Sequence, residues 1–276
     1  MAERRSMWSQ WGIALHLAVV AVTGYLLVVS HSWTARAGLA IVSGTSLFVL
    51  TGLIHEASHH LLAGRTWCNE VLGNLSGALL LTPLTAYRAF HLKHHQTTNR
   101  EDDPNRPLNS RWMLLVGSLC YVLLIHFYAW RHLRGRLLAR YLVELAAAVA
   151  AMTFVVLLPH WVRDRATLAP LAVVCILQNI RIVSEHLDLP AGKYHDTWQL
   201  ALPKWLSGWV LHYDHHLEHH LRPGLHWHEL PAYREDLVRS QPALAAHRVT
   251  LSGFFQEVFL ARRRIAGSAA VVKRAG

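Results

Sequence analysis

The chain has 276 residues, of which 53% are hydrophobic and only 16% charged, with 11 tryptophans and a mean hydropathy of +0.21. That is too apolar for an ordinary soluble domain and indicates an integral membrane protein. The net charge of +10 would suit nucleic acid, but the Arg and Lys sit in short clusters between long apolar runs, as in loops facing an anionic leaflet, so no nucleic acid partner is expected. Cys68, Cys120 and Cys175 lack C-x-x-C spacing and indicate no disulfide framework.

In chain order, Arg4 and Arg5 precede a long apolar stretch without a small-residue cleavage site, which predicts an uncleaved first span and a cytoplasmic N-terminus. Apolar runs follow at 11–30, 37–54, 71–86, 112–130, 142–159 and 167–183. A spanning helix needs about 20 such residues. Between and after the runs lie histidine clusters: His55 and His59 in HEASHH, His91, His94 and His95 in HLKHH, and His216, His219 and His220 in HLEHH. With 21 His in the chain, one H-x-x-H-H would arise by chance about 0.1 times. Two of them beside a further pair are a signal. On a helix, positions i, i+3 and i+4 share a face, so the three imidazoles of a box can converge on a point beside it.

If the boxes build one site, an even number of crossings separates each from the next. The run 71–86, carrying Gly73, Gly77 and Pro83, should therefore not cross. Between His95 and His186 only two of three runs can cross. Arg131, Arg134, Arg136 and Arg140 lie between the first two and favour the inside. The expectation is an all-α integral membrane helical bundle, one domain over 1–276, with about four spans (11–30, 37–54, 142–159, 167–183), interfacial 71–86 and 112–130, and a cytoplasmic helical cap over 184–262. Leu251, Phe254, Phe255 and Val258 fall on one helix face ahead of Arg262, Arg263 and Arg264, which suits either a membrane surface or packing on the cap. The last ten residues are expected to be disordered.

The ligand count bounds the chemistry. His55, Glu56 and His59 alone read as the H-E-x-x-H of a zinc protease, but such a site has no use for two further triple-His boxes. A metal transporter would need a polar path through the spans, where the runs 11–30, 37–54 and 142–159 offer only His16 and Glu144. With His186 beyond the last run, nine imidazoles exceed one tetrahedral ion and suit two first-row transition ions with positions left for oxygen.

HEASHH at 55–60, HLKHHQTTNREDDP at 91–104, Ser184, Glu185 and His186, and HLEHHLRPGLHWHELP at 216–231 resemble the membrane fatty acid desaturase and hydroxylase superfamily over roughly residues 40–235. The resemblance implies two non-haem iron ions on the cytoplasmic face, O2 as co-substrate, and a narrow apolar tunnel for a lipid or acyl chain. It also implies a separate electron donor of ferredoxin, rubredoxin or cytochrome b5 type. The reaction would be desaturation at an unactivated C–H, with hydroxylase or ketolase chemistry on a comparable apolar chain as the alternative. Matched residue by residue, His55, His59, His91, His94, His95, His186, His216, His219 and His220 would be the iron ligands. His60 stands at a spacing that some first boxes use, so the choice between His59 and His60 stays open. His212, His215 and His216 also read H-x-x-H-H, although the Leu221, Arg222 and Pro223 that follow resemble the family's ending of the later frame. Some relatives carry an Asn four residues before the lone His, where this chain has Ile182; Asn179 is not its simple substitute. His60, Glu56, Asp103, Glu185, His212 and Glu218 would orient ligands from outside the metal shell. Arg88, Lys93 and Arg100 are expected to meet lipid headgroups.

Overall fold

The computed structural model describes residues 2–187 and 197–260, an all-α membrane helical bundle in which the described sheet is one pair of two-residue strands. Helices α1 (Ala2–Val29), α2 (Trp33–Ser58), α3 (Thr66–Ala78) and α4 (Leu84–Thr97) form the first half. Helices α5 (Met113–His132) and α6 (Gly135–Leu157) follow, and a short α7 (His160–Arg163) and a π turn lead into α8 (Ala169–His186). The remainder is α9 (Lys204–Trp209), α10 (His216–Leu221), α11 (Leu230–Ser240) and α12 (Leu251–Leu260), with β1 (Gln199–Leu200) parallel to β2 (Arg248–Val249).

Local chemistry sets the ends. Ser32 caps α2 by accepting from the Ala35 N–H, and Pro83, Pro159 and Pro203 stand immediately before α4, α7 and α9, where the missing N–H costs nothing. The run 71–86 is not one helix, because the chain turns over 79–83, with Leu81 at positive φ, between α3 and α4. Gly77 permits that turn: a Cβ there would strike the Thr82 carbonyl. Gly73 lets α3 close on α2, since its Cβ would meet Ala57 and Leu84.

Helix α2 is the axis, packed against α1, α3, α4 and α8. Its Leu50, Leu53, Ile54 and Ala57 join Leu84, Tyr87 and Phe90 of α4 and Ile125 of α5 in the main core, directly below the histidine-bearing ends. Five described stretches are long and apolar enough to cross a membrane: Trp11–Val29, Trp33–Ser58, Met113–His132, Gly135–Leu157 and His160–His186. Met113–His132 is the one the sequence places in the interface. Its Tyr121 packs on Phe90, His126 donates from Nε2 to the Leu81 carbonyl, and its first turns are tied to Asn179 of α8. At the other end of the bundle, Arg165 donates to the Val28 carbonyl, bringing the approach to α8 beside the end of α1.

Phe254 and Val258 of α12 are buried against Val183 of α8, while Leu251 and Phe259 are exposed. Arg262 to Arg264 and the last ten residues lie outside the described residues.

Candidate metal centre

Two imidazole groups form where α2, α4, α8 and α10 meet. The first contains His55, His59, His91, His95 and His219, and the second His94, His186, His216 and His220. Within each group, ligand-capable atoms lie within 4.8 Å of one another. All nine residues of the resemblance are present. His60 is in neither group; it is left-handed (φ 60°), exposed, and 3.7 Å from Glu70.

Each triple-His box is divided, which corrects the expectation of a single point of convergence. The i, i+4 pair His91 and His95 serves the first group while His94 turns to the second; the i, i+4 pair His216 and His220 serves the second while His219 crosses to the first. Helices α4 and α10 therefore bridge both groups, α2 contributes only to the first, and α8 only to the second. The His95 and His220 rings stack at 4.3 Å between them.

The donor set fits metal. In the first group the Nε2 atoms of His59 and His91 are 2.9 Å apart, those of His91 and His95 3.0 Å, and those of His95 and His219 3.0 Å. In the second, those of His186 and His216 are 3.1 Å apart. Ligands at about 2.1 Å from one ion and about 90° apart would be separated by about 3.0 Å. His55 Nε2, His94 Nε2 and His220 Nε2 are buried without a hydrogen-bond partner. Orphaned buried nitrogens are costly unless something binds them. Burial and neighbouring rings hold the imidazoles neutral: His59 is lowered to about 4 by burial, His60 and Arg88, and His95 to about 2 by burial, His59 and His94. Burial lowers His91, His216, His219 and His220 in the same sense. Neutral imidazole is the form that ligates.

Among the six expected orienting residues, Asp103 holds a ligand by hydrogen bond. Its carboxylate accepts from His94 Nδ1 at 2.9 Å and from the backbone N–H groups of Asn99 and Asn105, each at 2.8 Å. That directs the free His94 Nε2 into the second group. Glu185 Oε1 is 3.5 Å from His216 Nδ1 and accepts from Arg181 Nε at 2.6 Å. Glu56 stands further off, 3.9 Å from His55 Nδ1. Glu218 serves other partners, accepting from Arg234 and Gln199 and lying 3.5 Å from His215. His212 pairs with Ser207, away from both groups. Asn179 accepts from Ser118 and donates to the Leu114 carbonyl, so it ties α8 to α5.

An apolar cavity of about 190 Å³ runs up to the second group. Phe48, Leu177, Ile180, Leu202, Leu206 and Val210 line it, together with Arg181, Glu185 and His216. Arg181 was missed by sequence reasoning although an arginine inside an apolar run is a recognisable flag for function. Its guanidinium lies 4.0 Å over the Tyr213 ring and bonds Glu185, so the charge is covered on both sides. Arg88 likewise departs from the expected headgroup contact: it is largely buried and paired with Glu70.

Residues 31–253 match a sequence model of the family described as "Fatty acid desaturase". The chain is 30% identical over 103 residues to an "sn-1 oleoyl-lipid 12-desaturase" of Anabaena variabilis, a stretch covering 37% of this chain and 29% of that protein. It is 29% identical over 83 residues to an "sn-1 acyl-lipid omega-3 desaturase (ferredoxin)" of Nostoc sp., covering 30% of this chain and 22% of that protein. It is 28% identical over 97 residues to a "Delta(12) fatty acid dehydrogenase" of Crepis alpina, covering 32% and 26%. The aligned stretches thus span less than a third of each relative. With four fifths of its length matched to the family and nine imidazoles gathered at the end of an apolar bundle, this chain belongs to the fatty acid desaturase family.

Proposed function

We propose that the protein is a membrane oxidoreductase that desaturates the acyl chains of lipids, using O2 and two non-haem iron ions. The observation that carries this reading is the pair of imidazole groups, with Nε2 atoms about 3 Å apart, beside an apolar cavity. His55, His59, His91, His95 and His219 would hold one iron, and His94, His186, His216 and His220 the other. The iron pair, when bound, supplies reductive activation of O2 for attack on an unactivated C–H bond. The chain's own residues do the rest. The apolar wall from Phe48 to Val210 takes up an acyl chain and excludes water. Asp103 fixes the His94 tautomer, and the Arg181–Glu185 pair lines the cavity beside His216. The names of the relatives suggest a lipid-bound acyl substrate and a ferredoxin-type donor.

The site would face the cytoplasm, with α5 lying along the interface. Supporting this, α6 starts beside α3 and α4, where Arg140 pairs with Glu70 and Glu144 and Glu144 accepts from Thr85, and α5 touches α4 through Tyr121 on Phe90 and the site half of α8 through Ser118 on Asn179. A crossing by α5 as well as α6 and α8 would leave His186 on the far side from His94, yet their rings are 4.8 Å apart. The Arg131, Arg134 and Arg136 cluster at the α5–α6 turn stays inside.

The test is expression in a host of defined lipid composition, with mass spectrometry of total lipids. Acyl chains lacking two hydrogens support desaturation. Chains that gain one oxygen would redirect the assignment to hydroxylation, and unchanged lipids in a host with a competent donor would contradict both.

A further inference from the structure

We propose that Arg88 is the positioning residue of the first imidazole group, acting by locking the end of α2 to α4; this rests on the two-iron reading above. The last carbonyls of a helix have no partner within it. At the end of α2 this matters unusually, because His59 is the residue that terminates the helix and His60 leaves it in a left-handed turn. Arg88 reaches this end from α4, donating from Nε to the Ser58 carbonyl at 3.2 Å and from Nη2 at 2.8 Å to the Ala57 carbonyl, which also accepts from the His60 N–H. Asn69 of α3 adds a second donor to the Ala57 carbonyl at 2.9 Å. The guanidinium is itself clamped, with Nη1 and Nη2 on the two Glu70 oxygens at 3.1 and 2.7 Å. Glu70 is held ionised, since Arg88 and Arg140 outweigh the effect of its partial burial and lower it to about 2. A planar fork can span two carbonyls and a carboxylate at once, which an ammonium cannot.

The position of this clamp makes it selective. Arg88 lies one turn before His91 on α4, and the carbonyls it holds lie between His55 and His59. It therefore fixes the relation of the two helices that together give the first group four of its five imidazoles. The second group takes none from α2.

The experiment compares purified full-length wild type, R88Q, R88K and E70Q after loading with iron, reading iron per chain and the Mössbauer spectrum. H59A and H186A serve to assign the signals of the two groups. R88Q is expected to bind iron about 10- to 100-fold more weakly at the first group, the range for loss of an outer-shell partner, with the second-group signal unchanged. R88K should behave like R88Q, and E70Q should show a weaker change of the same kind and reports the effect should R88Q not accumulate. Wild-type spectra and iron content in R88Q and E70Q, or equal loss at both groups, would overturn the inference. Wild type that binds no iron would instead sink the two-iron reading itself.

Discussion

The two imidazole groups are built from opposite materials. The first hangs on the end of a long buried helix, α2, whose carbonyls are held by Arg88 and Asn69. The second hangs on the six-residue α10 and the last residue of α8, and one of its rings, His94, is aimed by the Asp103 carboxylate, with Glu185 3.5 Å from His216. One group is set by where the backbone ends, the other in part by what His94 donates to. Both draw on α4 and α10, so what distinguishes them is α2 on one side and α8 on the other.

The largest effect should come from the ligands themselves. H219A and H94A delete one imidazole from the first and second group respectively, and each is expected to lower iron affinity at its own group by more than about 100-fold, beyond the outer-shell range. Iron titration of the two variants would blunt the distinction if both lost the same signal. Next in size is D103N. It removes the acceptor that fixes the His94 tautomer, so iron binding at the second group should fall about 10- to 100-fold while the first group keeps its spectrum. Together with R88Q it forms a crossed pair of selective losses.

Acid should act on both groups of the iron-free protein. The first-group rings His59 and His95 are lowered from 6.5 to about 4 and about 2. Because the folded values are depressed, the unfolded chain takes up protons first, so stability is fully present above about pH 6.5 and is lost as pH falls toward 4. The melting temperature of chelator-treated protein should drop over that window, and a flat profile would show that these rings are not neutral in the folded state. The smallest effect belongs to H60A. His60 is exposed and outside both groups, so iron content and lipid products should stay within about twofold of wild type, the scale of a surface change.

Much of this site was legible in the sequence because helical spacing is a strong constraint. His91 with His95 and His216 with His220 had to share a face, and nine imidazoles are more than one tetrahedral ion uses. The division of each box between two groups was not legible, since spacing gives the side of a helix and not the direction of a ring between two neighbours. Asp103 could be suspected from its place after the second box, whereas Glu218 looked equivalent and is instead spent on Arg234. The roles of Arg88 and Arg181 depend on contacts with Glu70 and Tyr213, distant or differently placed in the chain, which no periodicity encodes. The broken run at 71–86 was foreshadowed by Gly73, Gly77 and Pro83, each of which serves the turn or the close packing of α3.

The most direct test of the central claim is metal analysis of the purified protein. About two iron ions per chain are expected, as the nine-imidazole donor set suits. A single tightly held zinc, or metal that exchanges freely and leaves the chain without iron, would contradict it.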